Sequence, residues 1–263
     1  MSTVPAIKDL VEIITTSAKN ILLPAFGKVS SHAKADGSLV TQADLDMHTQ
    51  VETSLRQRYP DIRFLSEEMP AEIQQRLMRS NEPLWVLDPL DGTSNFAYGI
   101  PIFAVSLALL QDGEVKLGIV YDPVREECFS VRSGEKSQIN GQDIPLPVVP
   151  DSLDKTMAII DFKRLPAHLS DRIVNDMPYA SQRSFGSGAL DWCWLAAGRG
   201  HIYLHGRQNV WDYVAGQMIL KHAYGDCCTL EGGPVFHGQL NASSVVAATT
   251  PALYQDWRSY IIG

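Results

Sequence analysis

Apolar residues recur along the first 26 positions at three- and four-residue intervals. Val4, Ile7, Val11, Ile14, Ala18, Ile21 and Leu22 fall on one face. That spacing predicts an amphipathic helix over 4–26, with Gly27 just past its end. The next segment, SSHAKADGSLVTQAD, is polar and contains glycine, which predicts a mobile loop. Leu45, His48, Val51 and Leu55 then space out a second helix from Ala43 to Tyr59. IRFLSEE reads as a strand ending on two glutamates, and 71–80 as a short helix.

From Trp85 the period becomes that of strands. Trp85-Val86-Leu87 runs into Asp88, and residues 102–134 read as a meander. Asp112-Gly113 and Asn140-Gly141 are hairpin signals, and Asp122-Pro123 marks a further turn. The proline-rich DIPLPVVPD, 143–151, is the candidate boundary, too short and apolar for a flexible tether. Beyond it the pattern alternates. Strands at 156–161 and 201–206 are interleaved with helices at 167–176, from RSFGSGA to Ala197, and at 211–223. A strand pair within 227–248 and a last helix at 250–261 complete the chain. The expected organisation is an α+β half, 1–145, and an α/β half, 146–263, packed as one unit.

Composition narrows what this chain can do. With 263 residues, 45% of them hydrophobic, it can bury a sizeable core. A net charge of −8 without any Lys/Arg block disfavours direct nucleic-acid or anionic-membrane contact. No run approaches the roughly 20 apolar residues of a membrane span, and the N-terminus lacks the pattern of a signal peptide. Cys128, Cys193, Cys227 and Cys228 form no CxxC pair and read as reduced thiols of a cytoplasmic protein.

Acidic residues stand at the ends of the expected elements: Asp44, Glu67, Asp88, Asp91 and Asp212. Taken singly, an acid at a helix start is a cap worth about 0.3–1 kcal/mol, and Asp-Pro or Asp-Gly is an ordinary turn. The DPLDG spacing adds a second reading. Pro89 stiffens the backbone, so Asp88, the Leu90 carbonyl and Asp91 can aim at one point, as a hard divalent cation requires. Gly92 and Thr93 then let backbone N–H groups approach an anion.

WVLDPLDGTSNF, from Trp85 to Phe96, with LSEE upstream and WDYVAG downstream, resembles the inositol monophosphatase family of Mg²⁺-dependent, lithium-sensitive phosphatases. The family's first signature, W-(I/V)-(I/V/L)-D-P-(I/L)-D-G-T-x-N-F, is complete, and the Trp-Asp pair of its second is intact. LVTQAD also matches in order, so the resemblance spans about residues 4–262. It implies a layered αβαβα sandwich of the inositol monophosphatase/fructose-1,6-bisphosphatase type, commonly homodimeric. It also implies two to three Mg²⁺ ions held by Glu67, Asp88, Asp91, Asp212 and the Leu90 carbonyl. Glu67 and Thr93 would orient the attacking water, with Asp44 hydrogen-bonded to the threonine. Asp91, Gly92, Thr93 and Ser94 would meet the phosphate, with Asp212 close by. RSFGSGALDW would supply the substrate loop through Gly186, Ser187 and Gly188. Lys34 falls near a lysine of the family's mobile loop, or is a solvated charge.

The resemblance departs from pattern around the leaving group. Inositol-hydrolysing members carry a glutamate seven residues before the second-signature aspartate, and here that position is His205. A neutral histidine is a weaker acceptor than a carboxylate, and a protonated one only donates. Arg207 and Gln208 either face a second charged group on the substrate or sit in an exposed loop. His222 and His237 read as ordinary polar residues. The expected function is hydrolysis of a small phosphomonoester, inositol monophosphate or a related polyol or sugar phosphate. Alternatives are 3′-phosphoadenosine 5′-phosphate, fructose 1,6-bisphosphate or NADP. An alternative of another class is a regulatory subunit associated with transcription machinery, as some bacterial relatives are.

Overall fold

Two sheets of different hydrogen-bonding character organise the chain. The computed structural model describes residues 5–28, 31–33, 39–80 and 82–263. In chain order the elements are α1 (Ile7–Ala25), β1 (Ser31–Ala33), β2 (Leu39–Thr41), α2 (Gln42–Arg58), β3 (Arg63–Ser66), α3 (Ala71–Met78), β4 (Leu84–Asp91) and α4 (Thr93–Ala97). Then come β5 (Ala104–Gln111), β6 (Glu114–Asp122), β7 (Glu127–Arg132), β8 (Gln138–Ile139) and β9 (Gln142–Asp143). The remainder is β10 (Met157–Asp161), α5 (Ala167–Asp176), β11 (Ser181–Arg183), α6 (Gly188–Ala196), β12 (Ile202–Gln208), α7 (Val210–Lys221), β13 (Asp226–Cys228), β14 (Ser243–Ala248) and α8 (Pro251–Ile262).

Strands β3 to β9 form a seven-stranded sheet in sequential order, with a parallel β3–β4 pair and antiparallel pairs after it. The second sheet has the order β11-β10-β12-β14-β13, parallel on the β10 side and antiparallel around β14. Asp112-Gly113 and Asn140-Gly141 turn the hairpins with φ of 56°, 75°, 50° and 77°, the left-handed pairs that a two-residue hairpin needs.

The period-two pattern explains the layers. Trp85 and Leu87 of β4 face α1 and α2, packing with Leu10, Ile14, Leu22, Val51 and Leu55. The alternate Leu84 and Val86 face inward, with Trp192 of α6 and Val214 of α7. From the other sheet Ile159, Tyr203 and Val245 enter that same inner core, while Ile160, Leu204 and Val246 pack outward on Leu169, Leu253 and Trp257. The result is five layers, αβαβα, with α6 and α7 buried between the sheets. A helix apolar all round must be enclosed.

Several expectations change on inspection. Part of the expected loop after α1 is a hairpin, Ser31–Ala33 against Leu39–Thr41; Lys34 lies outside the described residues. Gln208 is neither loop nor substrate contact. It is buried, accepting from Trp192 Nε1 at 3.0 Å and donating to the Tyr203 hydroxyl at 2.6 Å. The apolar run of β5, Trp192 and Trp194 are core residues. All four cysteines are buried and unpaired, and burial pushes the Cys128 and Cys227 thiols up to about 12. Among the described residues no helix is long and apolar enough to cross a membrane.

Candidate metal and phosphate site

The eight residues of β4 are all buried, and its last four carry the chemistry. Pairing with β5 is regular from Leu84↔Leu110 to Asp88↔Ser106, then slips so that Asp91 faces Ala104. Pro89 has no N–H to give the ladder, and the Asp88 side chain turns back so that Oδ1 accepts the Leu90 N–H at 3.0 Å. The chain then needs Gly92. Its φ is 89°, and a Cβ there would lie 2.9 Å from the Ile102 carbonyl oxygen.

Each of four aspartates has one oxygen tied down by a protein donor. Asp44 Oδ2 accepts from the Thr41 N–H at 2.8 Å and its hydroxyl at 2.6 Å, closing the capping box of α2. Asp212 Oδ2 accepts from the Asn209 N–H at 2.8 Å in the capping box of α7. Asp91 Oδ2 takes the Ser187 hydroxyl in a short hydrogen bond and the Ala189 N–H at 2.9 Å. The capping reading of Asp44 and Asp212 is thus met, each being the acid of a capping box. Such a contact fixes the rotamer, so the free oxygen of Asp212 is held toward the cluster and Asp44 Oδ1 toward Thr93.

Asp88, Asp91 and Asp212 bring carboxylate oxygens within 4.8 Å of one another, so the three could hold a metal ion. Glu67, whose N–H bonds the Leu87 carbonyl at 3.2 Å, enters the same cleft from the end of β3. Burial, then the charges of Glu67, Asp91 and Asp212, push the Asp88 carboxyl well above its usual range. Asp212 is pushed up by burial, Asp91 and Glu67, and Asp91 by burial against its Ser187, Ala189 and Gly188 donors. Such a cluster is unfavourable as anions alone and suits a hard cation with all-oxygen ligands.

Thr93 Oγ1 lies 3.0 Å from the Leu90 carbonyl and 3.2 Å from Asp44 Oδ1, two acceptors for one proton. Asn95 Nδ2 donates to the Ile102 carbonyl at 2.9 Å and the Phe185 carbonyl at 2.7 Å, stitching α4 to the loop before α6. The cleft so formed has a volume of about 210 Å³. Its wall includes Glu67, Asp88, Leu90, Asp91, Gly92, Thr93, Ser94, Gly186 and Asp212, all expected from sequence. Asp44, Ser187, Gly188 and His205 are not part of that wall. The first three act beside it through Thr93 or Asp91, and His205 is buried against Asp161, Nε2 to Oδ2 3.4 Å.

Beyond motif and cluster, the whole chain has known counterparts: residues 4–261 match the inositol monophosphatase family. The chain belongs to that family. Its relatives include Nus factor SuhB of Pasteurella multocida (strain Pm70), 33% identical over 82% of this chain and 79% of the relative. Inositol monophosphatase 1 of Solanum lycopersicum is 33% identical over 84% of this chain and 81% of its own. The crystal structure of extragenic suppressor protein suhB from Bartonella henselae superposes with a TM-score of 0.83, at 25% identity and 97% coverage of both chains. The αβαβα sandwich is thus the family's fold. Membership supports a phosphatase, and the family's metal dependence matches the acidic cluster.

Leu39, Arg164 and Asn209 also wall the cleft and were not singled out from sequence. Asn209 had a signal: asparagine three residues before Asp212 is a capping box. Arg164 had none, because the turn that carries it is placed only by tertiary packing.

Proposed function

We propose that the protein is a Mg²⁺-dependent phosphomonoesterase acting on a small phosphorylated substrate. The observation that carries this reading is the convergence of Asp88, Asp91 and Asp212 within 4.8 Å beside the left-handed turn at Gly92. Two to three Mg²⁺ ions, held by these residues with Glu67 and the Leu90 carbonyl, would supply charge neutralisation and an acidified water. The backbone N–H groups at Gly92 and Thr93 hold phosphate oxygens, as a turn opening onto positive helix-end amides does. Thr93 and Glu67 orient the attacking water. When the Leu90 carbonyl serves as a ligand, the Thr93 proton goes to Asp44, which fixes the hydroxyl lone pairs toward the cleft. Little covalent chemistry is asked of the protein; position and charge do the rest.

Inositol monophosphate or a related polyol or sugar phosphate is the first substrate class. 3′-Phosphoadenosine 5′-phosphate, fructose 1,6-bisphosphate and NADP are the others. Phosphate release with Mg²⁺ on this panel, with histidinol phosphate added, tests the reading. One substrate about 100-fold ahead in kcat/KM, roughly 2.7 kcal/mol, would name it. No turnover of any substrate by a protein that binds Mg²⁺ calorimetrically would sink it. It would favour the regulatory reading suggested by the name of the Pasteurella relative. The intact cluster supports catalysis over that alternative.

The same proposal includes a cytoplasmic homodimer built of halves 1–145 and 146–263. Four unpaired thiols support a reducing compartment. Exposed Tyr98, Ile100, Leu146 and Val148 offer apolar surface, and the chain passes from one sheet to the other between Asp143 and Met157.

The cluster also sets a pH dependence. Raised carboxyls mean that the folded chain binds more protons than the unfolded one above the ordinary carboxyl range. Without cation, their contribution to stability is therefore lost as pH rises. Mg²⁺ replaces those protons. The thermal shift given by Mg²⁺ is expected to grow between pH 5 and pH 8, measured by scanning fluorimetry; a shift that shrinks with pH would contradict the metal assignment.

A further inference from the structure

Arg164 is the one cationic side chain on the wall of the metal cleft among the described residues. It also walls a second cavity of about 620 Å³, together with Gly206, Arg207, His237, Asn241 and Ser243. The residue therefore stands between the two spaces. Several other arginines pair with carboxylates, among them Arg56 with Glu52, Arg58 with Asp9, Arg125 with Asp122 and Arg199 with Glu127. The Arg164 guanidinium makes no ion pair or hydrogen bond with a described residue. Asp212, held up chiefly by burial, is partly offset by it, so its charge is felt at the metal cluster.

The placement is built by packing. Phe162–Arg164 is a single 3₁₀ turn at the end of β10, capped by Asp161, whose Oδ1 accepts the Lys163 N–H at 2.8 Å. The turn rests on Gly206, where an added Cβ would lie 1.8 Å from the Arg164 carbonyl oxygen. His205 holds the other side. Its Nδ1 accepts the Arg207 backbone N–H at 3.1 Å, so the neutral ring carries its proton on Nε2, 3.4 Å from Asp161 Oδ2. With Nδ1 occupied and Nε2 protonated, the ring has no lone pair to offer a substrate hydroxyl. The position of the family's hydroxyl-accepting glutamate here braces the turn that presents Arg164.

We propose that Arg164 binds a second phosphate on the leaving portion of the substrate, which extends from the cleft into the neighbouring cavity toward Arg207. This rests on the phosphatase reading of the cleft. A planar guanidinium that makes no ion pair or hydrogen bond with a described residue is suited to bidentate phosphate recognition. The cleft of about 210 Å³ holds the transferred phosphate, and the wider cavity receives the remainder. On a protein of net charge −8, a substrate carrying two phosphates needs such a local cation.

Matched substrate pairs test it. Turnover with Mg²⁺ is measured for 3′-phosphoadenosine 5′-phosphate against 3′-adenosine monophosphate, and for fructose 1,6-bisphosphate against fructose 1-phosphate. In one pair the bisphosphate is expected to lead by about tenfold or more in kcat/KM, the worth of one charge-assisted contact. The pair that shows it separates a nucleoside from a sugar. R164Q should bring that ratio to about one, chiefly through KM, and R164K should restore part of it. A ratio near one in both pairs, or a preference that survives R164Q, overturns the proposal. Calorimetric binding of the products adenosine 5′-phosphate and fructose 6-phosphate, wild type against R164Q, gives a readout free of turnover. Arg164-dependent binding without any hydrolysis would leave Arg164 as a phosphate contact but remove the phosphatase reading, and with it the assignment of that phosphate to a leaving group. Hydrolysis with equal rates in each pair would do the reverse. Neither hydrolysis nor Arg164-dependent binding would remove both.

Discussion

Asp91→Asn is expected to lower Mg²⁺-dependent phosphate release by roughly 10³-fold, the upper range for losing one preorganised electrostatic partner, while the chain stays folded. The geometry separates the two effects. Asp91 Oδ2 receives the Ser187 hydroxyl and the Ala189 N–H, and an amide oxygen can accept both. What changes is the other position, where an anionic oxygen becomes an NH₂ donor that repels a cation. The variant should also show a reversed stability effect. Without Mg²⁺ it removes a charge from a cluster in which Asp91 opposes Asp88 and Asp212, so the metal-free protein should melt higher than wild type. With Mg²⁺ it should gain less than wild type. Wild-type turnover at saturating Mg²⁺ would refute the assignment of Asp91 as a ligand. Lost activity together with a lower metal-free melting point would indicate that Asp91 serves folding more than metal.

Most of this cleft is legible because its residues are contiguous or stand at element ends. Asp88, Leu90, Asp91, Gly92 and Thr93 lie within six positions, so their convergence is a local matter of Pro89, the turn and Gly92. Glu67 and Asp212 were readable because each closes or opens an element, and the parallel β3–β4 pair brings Glu67 beside β4. Asp44 and Asp212 looked equally like helix-capping acids, and each is the N3 acid of a capping box. The sequence cannot say that the capped carboxylate also faces another element, since that depends on how α2 and α7 dock.

What stayed hidden depends on contacts between distant segments. Gln208 sits two residues beyond Gly206 in a stretch that reads as a polar loop, yet a bulge between His205 and Gln208 turns its amide into the core between Trp192 and Tyr203. His205 shows the same limit. Its position in the motif pointed to substrate, whereas its two ring nitrogens are occupied by Arg207 and Asp161, the latter 44 positions away in sequence. Arg164 follows a strand, as Glu67 does, but the close approach of its carbonyl to Gly206 is a property of the packed sheet and not of any local pattern.

Gly206→Ala is accordingly expected to be among the most damaging single-methyl changes in the chain. The Cβ would lie 1.8 Å from the Arg164 carbonyl oxygen and 2.7 Å from the Leu165 nitrogen, both backbone atoms that cannot rotate away. Relief requires moving the 162–164 turn or the bulge of β12, and overpacking that displaces backbone costs about 3 kcal/mol or more. For a chain of this size that is a fall of about 6–12 °C in Tm. Gly225 is the useful contrast. Its nearest obstruction, Leu220 Cδ1 at 2.2 Å, is a side-chain end that can turn, although the Ala248 carbonyl at 2.7 Å limits the relief. Gly225→Ala should therefore cost less than Gly206→Ala. A Gly206→Ala protein with wild-type Tm would show that the turn yields freely, and a freely yielding turn could not hold Arg164 at the mouth of the cleft. Loss of stability with retained Mg²⁺ binding would place the damage at the turn and away from the cluster, because Asp88 and Asp91 lie on β4 in the other sheet.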